Sequence, residues 1–332
     1  MLLTSIPCRF CGTPASFIDR YACPFLEDQK IFQESMNLYW CPRESLGFAC
    51  PMPTREALAR YYKEIYRSNL RLYSEDPHAP YRIFKQTPLA DSQYTYLSQF
   101  IDFKEIRTVI DMGCGHGLLL RKFQERYPNI RLIGIDLDPD VRHSLKEIGA
   151  EFLHASADDI VKDICRNISH DTLLISSHTL HLQRDNTFIR DIISETKKAG
   201  TSNVFLFIEV TNDALNQPGY VQSRVYDVPK LIFFTLDSFR KGIFDLEIIN
   251  LVTNGWLLEQ EIFFRKRRLE KYQRGKRHRV VSKILRMGKS LVPAQLRMVM
   301  RGVLGGGGVA DTLPYYAYGG NRRAIRLLGK IR

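Results

Sequence analysis

From about Arg107 the chain alternates short β-rich apolar runs with amphipathic helical stretches. The runs are TVIDM, RLIGID, EFLHA, TLLIS and NVFLFIEV, and the helices start at Leu118, after Pro139 and from Asp185. Apolar runs of four to eight residues separated by helices are the pattern of an α/β protein with a doubly wound, largely parallel sheet. A short helix around Ser238 and the run FDLEIINLV (244–252) continue it, and AIRLLGKI closes the chain as a final strand. Ahead of this block, residues 1–53 are rich in cysteine and proline with little periodicity, and Thr54 can cap a helix whose apolar members are Leu58, Tyr61, Tyr62 and Ile65. From Arg265 the pattern becomes a basic helix, broken by Pro293 and ended by the Gly305–Gly308 run. The predicted units are a cysteine-rich module (1–53), a helical linker or cap (54–106), the α/β domain (107–264), and a basic helical extension with the final strand (265–332).

Charge sharpens the division. The 332 residues carry a formal +12, but residues 265–332 hold 19 Lys and Arg against two acids, net +17, which leaves the rest at net −5. On a helix from Arg279, the basic Arg279, Lys283 and Arg286 lie beside a stripe of Val280, Ile284, Met287 and Leu291. Residues 265–301 could therefore lie on an anionic membrane surface or bind RNA, or form a solvated face of the domain. The segment lacks the interleaved aromatics of a base-stacking platform, so nucleic acid is the weaker reading. No run approaches the roughly 18 apolar residues that span a bilayer, and the expected location is cytoplasmic, peripheral to the membrane if the tail holds it there.

The sharpest chemical signal is Asp111-Met-Gly113-Cys-Gly115-His-Gly117, between the run TVI and the helix LLLRKF. Alternate glycines let the backbone turn and approach a ligand closely. The spacing is neither the dinucleotide G-x-G-x-x-G nor a phosphate loop ending in Gly-Lys-Ser/Thr. Nineteen residues beyond Gly117, Asp136 ends the next strand, where a carboxylate can accept both hydroxyls of a ribose. Together they read as a nucleoside site.

These residues resemble the class I S-adenosylmethionine-dependent methyltransferases, whose first motif is D-x-G-x-G-x-G and whose second strand ends in an acid. The resemblance implies that the Gly113–Gly117 loop, with Gly115 at its centre, passes under the methionine part of the cofactor. It also implies that Asp136 holds the ribose and that Asp111 lies near the amino group. The pair that reads adenine is matched by Ser156-Ala157, with the backbone of Ala157 and the carboxylate of Asp158 serving the base. Ser177 completes the cofactor-binding set.

Cys8-x-x-Cys11-Gly is half of a zinc knuckle. The later stretch from Cys41 to Pro53 resembles one found ahead of bacterial methyltransferases similar to the sugar C-methyltransferases, which carry a small zinc-binding domain. The resemblance implies zinc on Cys8, Cys11 and Cys41; the expected fourth cysteine is replaced by Glu44, leaving Glu44, Cys50 or Cys23 as the fourth ligand. A decayed, metal-free packing module is the alternative.

A base is needed only for a hydroxyl or carbon nucleophile. The candidates are His178, His181, Glu209 and Asp227, with Tyr220 and Tyr226 as hydrogen-bond partners to a substrate hydroxyl. A histidine at the C-terminal end of a strand in an open α/β sheet lies on the ligand-binding face. The expected activity is C- or O-methylation of a sugar, glycan or other small biosynthetic metabolite. An RNA methyltransferase and a non-catalytic S-adenosylmethionine-binding protein are the rivals.

Overall fold

The computed structural model describes residues 4–20, 36–62, 81–184, 187–213, 230–254 and 324–332. In chain order the elements are β1 (Ser5–Pro7), β2 (Pro14–Arg20), β3 (Asn37–Cys41), β4 (Leu46–Cys50), α1 (Arg55–Arg60) and α2 (Tyr81–Leu97). The α/β block follows with β5 (Thr108–Met112), α3 (Leu118–Arg126), β6 (Arg131–Asp136), α4 (Val141–Glu147), β7 (Glu151–His154), α5 (Val161–Asn167) and β8 (Thr172–Ser177). A 3-10 turn (Leu180–Leu182) leads to α6 (Thr187–Lys198), β9 (Val204–Thr211), β10 (Ile232–Phe233), α7 (Leu236–Arg240), β11 (Glu247–Asn254) and β12 (Ala324–Ile331).

One sheet has seven strands in the order β11-β12-β9-β8-β5-β6-β7. Strands β5 to β9 pair in parallel, and β12 runs antiparallel to both β9 and β11. The central strands β5, β8 and β9 are buried almost throughout, which is why their sequences read as continuous apolar runs rather than alternating ones. The doubly wound α/β architecture expected from the alternation is present.

Two expected boundaries move. The final strand, grouped with the basic extension 265–332, lies inside the sheet between β9 and β11, with every residue paired to β9 from Ala324 opposite Thr211 to Ile331 opposite Val204. Helix α2, grouped with a linker over 54–106, packs on α3 through Tyr94, whose ring lies 5.6 Å from that of the fully buried Phe123, and Phe103 in the turn that follows α2 adds a second ring at 4.9 Å. Burying a ring of that size stabilises by about 2–3 kcal/mol, so α2 is anchored to the α/β domain. The basic helix and the 265–301 segment lie outside the described residues.

Residues 1–53 do not form their sheet alone. They form an antiparallel sheet in the order β1-β2-β3-β4-β10. Its last strand comes from within the α/β block: Ile232 pairs with Phe48 and Phe233 with Gly47. Thr235 and Ser238, which form a reciprocal capping box on α7, both donate their hydroxyls to the Ser45 carbonyl at 2.7 Å. The small sheet is thus sewn onto the domain. Thr54 caps α1, accepting from the Ala57 N–H at 3.1 Å.

Candidate active site

The ends of β5, β6, β7 and β8 open into a cavity of about 220 Å³. Gly113, Gly115, Asp136, Ala157, Asp158, Ser177 and His178 line it, with α1 supplying Arg55, Leu58 and Ala59 as the opposite wall. Arg55 reaches across to Asp159 at 2.6 Å. Most of the cofactor-binding residues expected from the sequence thus meet in one place.

The turn after β5 is held by two bonds, from the Gly113 and Cys114 N–H groups to the Ile135 carbonyl. Gly113 has φ +83, and a Cβ there would lie 2.0 Å from the Thr179 hydroxyl, so only glycine permits this approach of two loops. Gly117 (φ +68) is the N-cap of α3; a Cβ would strike Leu145, so its part is helix packing, and it does not line the cavity. Asp136 accepts from the Gly115 N–H through one oxygen (2.8 Å) and from the Asp138 N–H through the other (2.9 Å). Both carboxylate oxygens are thereby fixed at the strand end, one on each of two backbone N–H groups.

Asp111 lies beneath the turn, buried, with Oδ1 lacking any hydrogen-bond partner. Burial, reinforced by the Asp136 charge, pushes its carboxyl up to about 7. On the wall after β7, the Ser156 hydroxyl sits between the Asp158 carboxylate and the Gln183 amide oxygen, the latter at 2.8 Å. Burial also raises the Asp158 carboxyl, against the Ser156 hydrogen bond.

At the end of β8, His178 takes a left-handed φ of +53, and its N–H donates to the Glu209 carbonyl at 2.7 Å. A non-glycine residue there carries of order 1 kcal/mol of strain, which aims the imidazole at the cavity. His181 is placed differently: its ring is buried, edge-on to His178 with centroids 6.2 Å apart, and it does not line the cavity. Asp227, Tyr220 and Tyr226 lie outside the described residues.

Behind His178 is a charged cluster that sequence reasoning left incomplete. Glu209 is fully buried; Arg326 from β12 donates to it through Nε at 3.0 Å and Gln93 from α2 through Nε2 at 2.9 Å. Arg326 is a buried charge in a strand whose other residues, Lys330 apart, are apolar or glycine, and a buried guanidinium requires an acid nearby. That was the available signal. Gln93 and Arg55 had none, since tertiary folding alone brings their helices to the site.

In the small sheet, Cys8, Cys11 and Cys41 bring their sulfurs within 4.8 Å of one another. Cys11 and Cys41 are 3.6 Å apart, and the Thr13 hydroxyl lies 2.9 Å from Cys11 Sγ. Burial would raise the Cys41 thiol, but the Glu44 N–H, the Thr13 hydroxyl and the two neighbouring cysteines outweigh it and hold it low. Cys8 is pushed up to about 12 by burial and by Cys41. Of the expected fourth ligands, Glu44 meets Cys41 through its backbone N–H at 3.4 Å, and Cys50 pairs with Asn37 at the far end of the β3–β4 ladder from Cys41. Neither joins the sulfur cluster among the described residues, and Cys23 lies outside them.

Residues 109–200 match the family model described as a methyltransferase domain. With the strand order and the glycine turn, the match makes the central unit a class I methyltransferase domain, of the S-adenosylmethionine-dependent kind, and the protein an enzyme. Several solved structures are similar to the chain. Coclaurine N-methyltransferase bound to N-methylheliamine and SAH matches at 14% identity and TM-score 0.46, over 82% of this chain and 81% of that one. The plantazolicin methyltransferase BamL, in complex with a triazolic desmethylPZN analog and SAH, matches at 14% identity and TM-score 0.44, over 82% and 94%. StiE O-MT residues 942–1257 match at 11% identity and TM-score 0.41, over 78% and 80%. No curated protein sequence matches the chain.

Proposed function

We propose that the enzyme transfers a methyl group from S-adenosylmethionine to a hydroxyl or an acidic carbon of a small biosynthetic metabolite, with a sugar or glycan as the acceptor class. The observation that carries the donor assignment is the doubly anchored Asp136 carboxylate facing the same cavity as the Gly113 cradle. In this reading Asp136 takes the ribose hydroxyls, Gly113 and Gly115 leave room for the methionine part, and Ala157 and Asp158 face the base. Asp111 fits the group too: a buried carboxylate oxygen without a partner suits an ammonium, directly or through water. Gly117 supports the turn from behind, and Ser177 is a polar wall.

The bound donor supplies an electrophilic methyl on a sulfonium. The chain's own part is alignment and, for a weakly acidic nucleophile, removal of a proton. His178, which among the described candidates lines the cavity, takes that proton; His181 and Asp227 are the remaining candidates. In the small sheet, Cys8, Cys11 and Cys41 hold a zinc ion, with Cys41 offering the readiest thiolate. The basic segment 265–301 holds the enzyme at an anionic membrane surface, which co-sedimentation with anionic vesicles at low salt checks.

The deciding experiment is a methyl-transfer assay with labelled S-adenosylmethionine over nucleotide sugars, lipid-linked glycans and total RNA. Label in a sugar or glycan supports the reading, and label in RNA alone overturns it. Tight S-adenosylmethionine binding without turnover on any of them would instead favour a non-catalytic binding protein. Metal analysis of purified protein should give about one zinc per chain, lost in Cys11→Ser.

A further inference from the structure

We infer that Glu209, clamped by Arg326 and Gln93, is a positioning residue that fixes the His178 imidazole with its proton on Nε2, leaving Nδ1 as the proton-accepting atom at the cavity. This rests on the reading of His178 as the base.

The two ring nitrogens stand in different surroundings. Nε2 is enclosed and lies 3.6 Å from Glu209 Oε1, while the imidazole as a whole remains a quarter exposed and lines the cavity. An ionised carboxylate can only accept, so the nitrogen that faces it carries the proton. Glu209 is that anion: burial pushes its carboxyl up, but His178 and Arg326 more than offset this and hold it below its ordinary value. The separation is longer than a hydrogen bond, a geometry that tightens as the ring takes up a proton.

The carboxylate cannot rotate. Its Oε2 accepts from both Arg326 Nε (3.0 Å) and Gln93 Nε2 (2.9 Å), and Arg326 Nη2 lies 3.4 Å from Oε1. Gln93 spends its second N–H on the Ser177 hydroxyl at 2.5 Å, and Arg326 spends Nη2 on the Ser92 hydroxyl at 3.0 Å. Arg326 faces Glu209 directly across the β9–β12 ladder. The groups around the ring are therefore Glu209 from β9 with Arg326 from β12 behind it, Gln93 from α2, and His181 from the 3-10 turn at 6.2 Å. A buried ion pair is poor at stabilising a fold compared with an apolar pair of the same volume. Its use here is orientation.

Because Oε2 receives two donors and Oε1 faces the ring, Glu209→Gln makes a pointed test. The amide oxygen is drawn to the Oε2 position, so the amide N–H₂ turns toward His178 Nε2. That nitrogen must then accept, and the proton moves to Nδ1. Long-range proton–nitrogen correlation spectra of the full chain labelled in histidine, assigned with His178→Gln, read this directly. Wild type is expected as the Nε2–H tautomer and Glu209→Gln as the Nδ1–H tautomer. On an acceptor found in the panel above, kcat is expected to fall at least about 100-fold, as for wrong-tautomer variants of other histidine bases, with S-adenosylhomocysteine affinity unchanged. The double variant Glu209→Leu/Arg326→Leu, which strips both charges at once, should show a mixture of tautomers. An Nδ1–H wild type, or an unchanged tautomer in both variants, would overturn the inference. Full turnover by His178→Asn would instead remove the base assignment, a separate failure.

Discussion

Two buried carboxylates near the cavity have been treated in opposite ways. On one side, Asp111 at β5 has an oxygen with no partner, and burial lifts its carboxyl to about 7. On the other, Glu209 at β9 is just as buried, yet Arg326, Gln93 and His178 surround it and hold its carboxyl below the ordinary value. Burial alone therefore does not set a charge state; the difference lies in whether the fold or a ligand provides the compensating donors. Glu209 is completed by the protein, so it can orient a neighbour. Asp111 is left incomplete by the protein, and in the proposed function the donor's ammonium completes it.

Variants can break this contrast, and the largest effect should come from the satisfied side. Arg326→Met leaves Glu209 buried without its cation and should cost about 3–5 kcal/mol in chemical denaturation. Glu209→Leu/Arg326→Met should recover most of that loss; a double variant as unstable as the single one would show the strand itself to be at fault.

On the other side the sign reverses. The Asp111 carboxyl titrates near 7 in the folded protein against an ordinary 3.8, so the folded state keeps a proton that the unfolded chain has released. Stability should fall as pH rises from about 4 to about 7 and stay lower above that. Asp111→Asn should then stabilise the ligand-free protein at pH 8 by on the order of 3 kcal/mol, with no gain below pH 4, as thermal melts across pH would show. The same variant should weaken S-adenosylhomocysteine binding in calorimetry. Glu209, held low, contributes in the usual carboxylate direction: its stabilisation is present above the unfolded value and is lost as acid reaches the folded one.

Asp136→Ala should lower S-adenosylhomocysteine affinity by about 100-fold, the scale of two lost charge-assisted hydrogen bonds. Normal binding by that variant would remove the donor-site assignment. The smallest effect is expected at the rim. The Arg55–Asp159 pair is solvent-exposed, so Arg55→Ala should cost less than about 1 kcal/mol of stability.

How much was legible in the sequence follows from where the information is local. Strands β5, β8 and β9 announced themselves as unbroken apolar runs because both faces of a parallel sheet are covered. The glycine turn and Asp136 were legible because a left-handed turn pressed against neighbouring side chains admits no Cβ, and an acid 19 residues further on falls at the end of the next strand. The strands of residues 1–53 were not: five-residue segments such as LGFAC, buried on both faces and studded with cysteine and glycine, are too short to carry a periodicity. Nor could a linear reading show that Ile232–Phe233 completes that sheet.

The sequence by itself determined the α/β class, the glycine turn with its distal acid, and the three cysteines that come together, since each is written in short-range spacing. The tertiary structure alone decided which histidine faces the cavity and which is buried, that α1 forms the opposite wall, and that a strand from the chain's end brings Arg326 to Glu209 across 117 positions. Those pairings are set by sheet order and packing, and the cost of burying a charge selects its partner from wherever the fold places one.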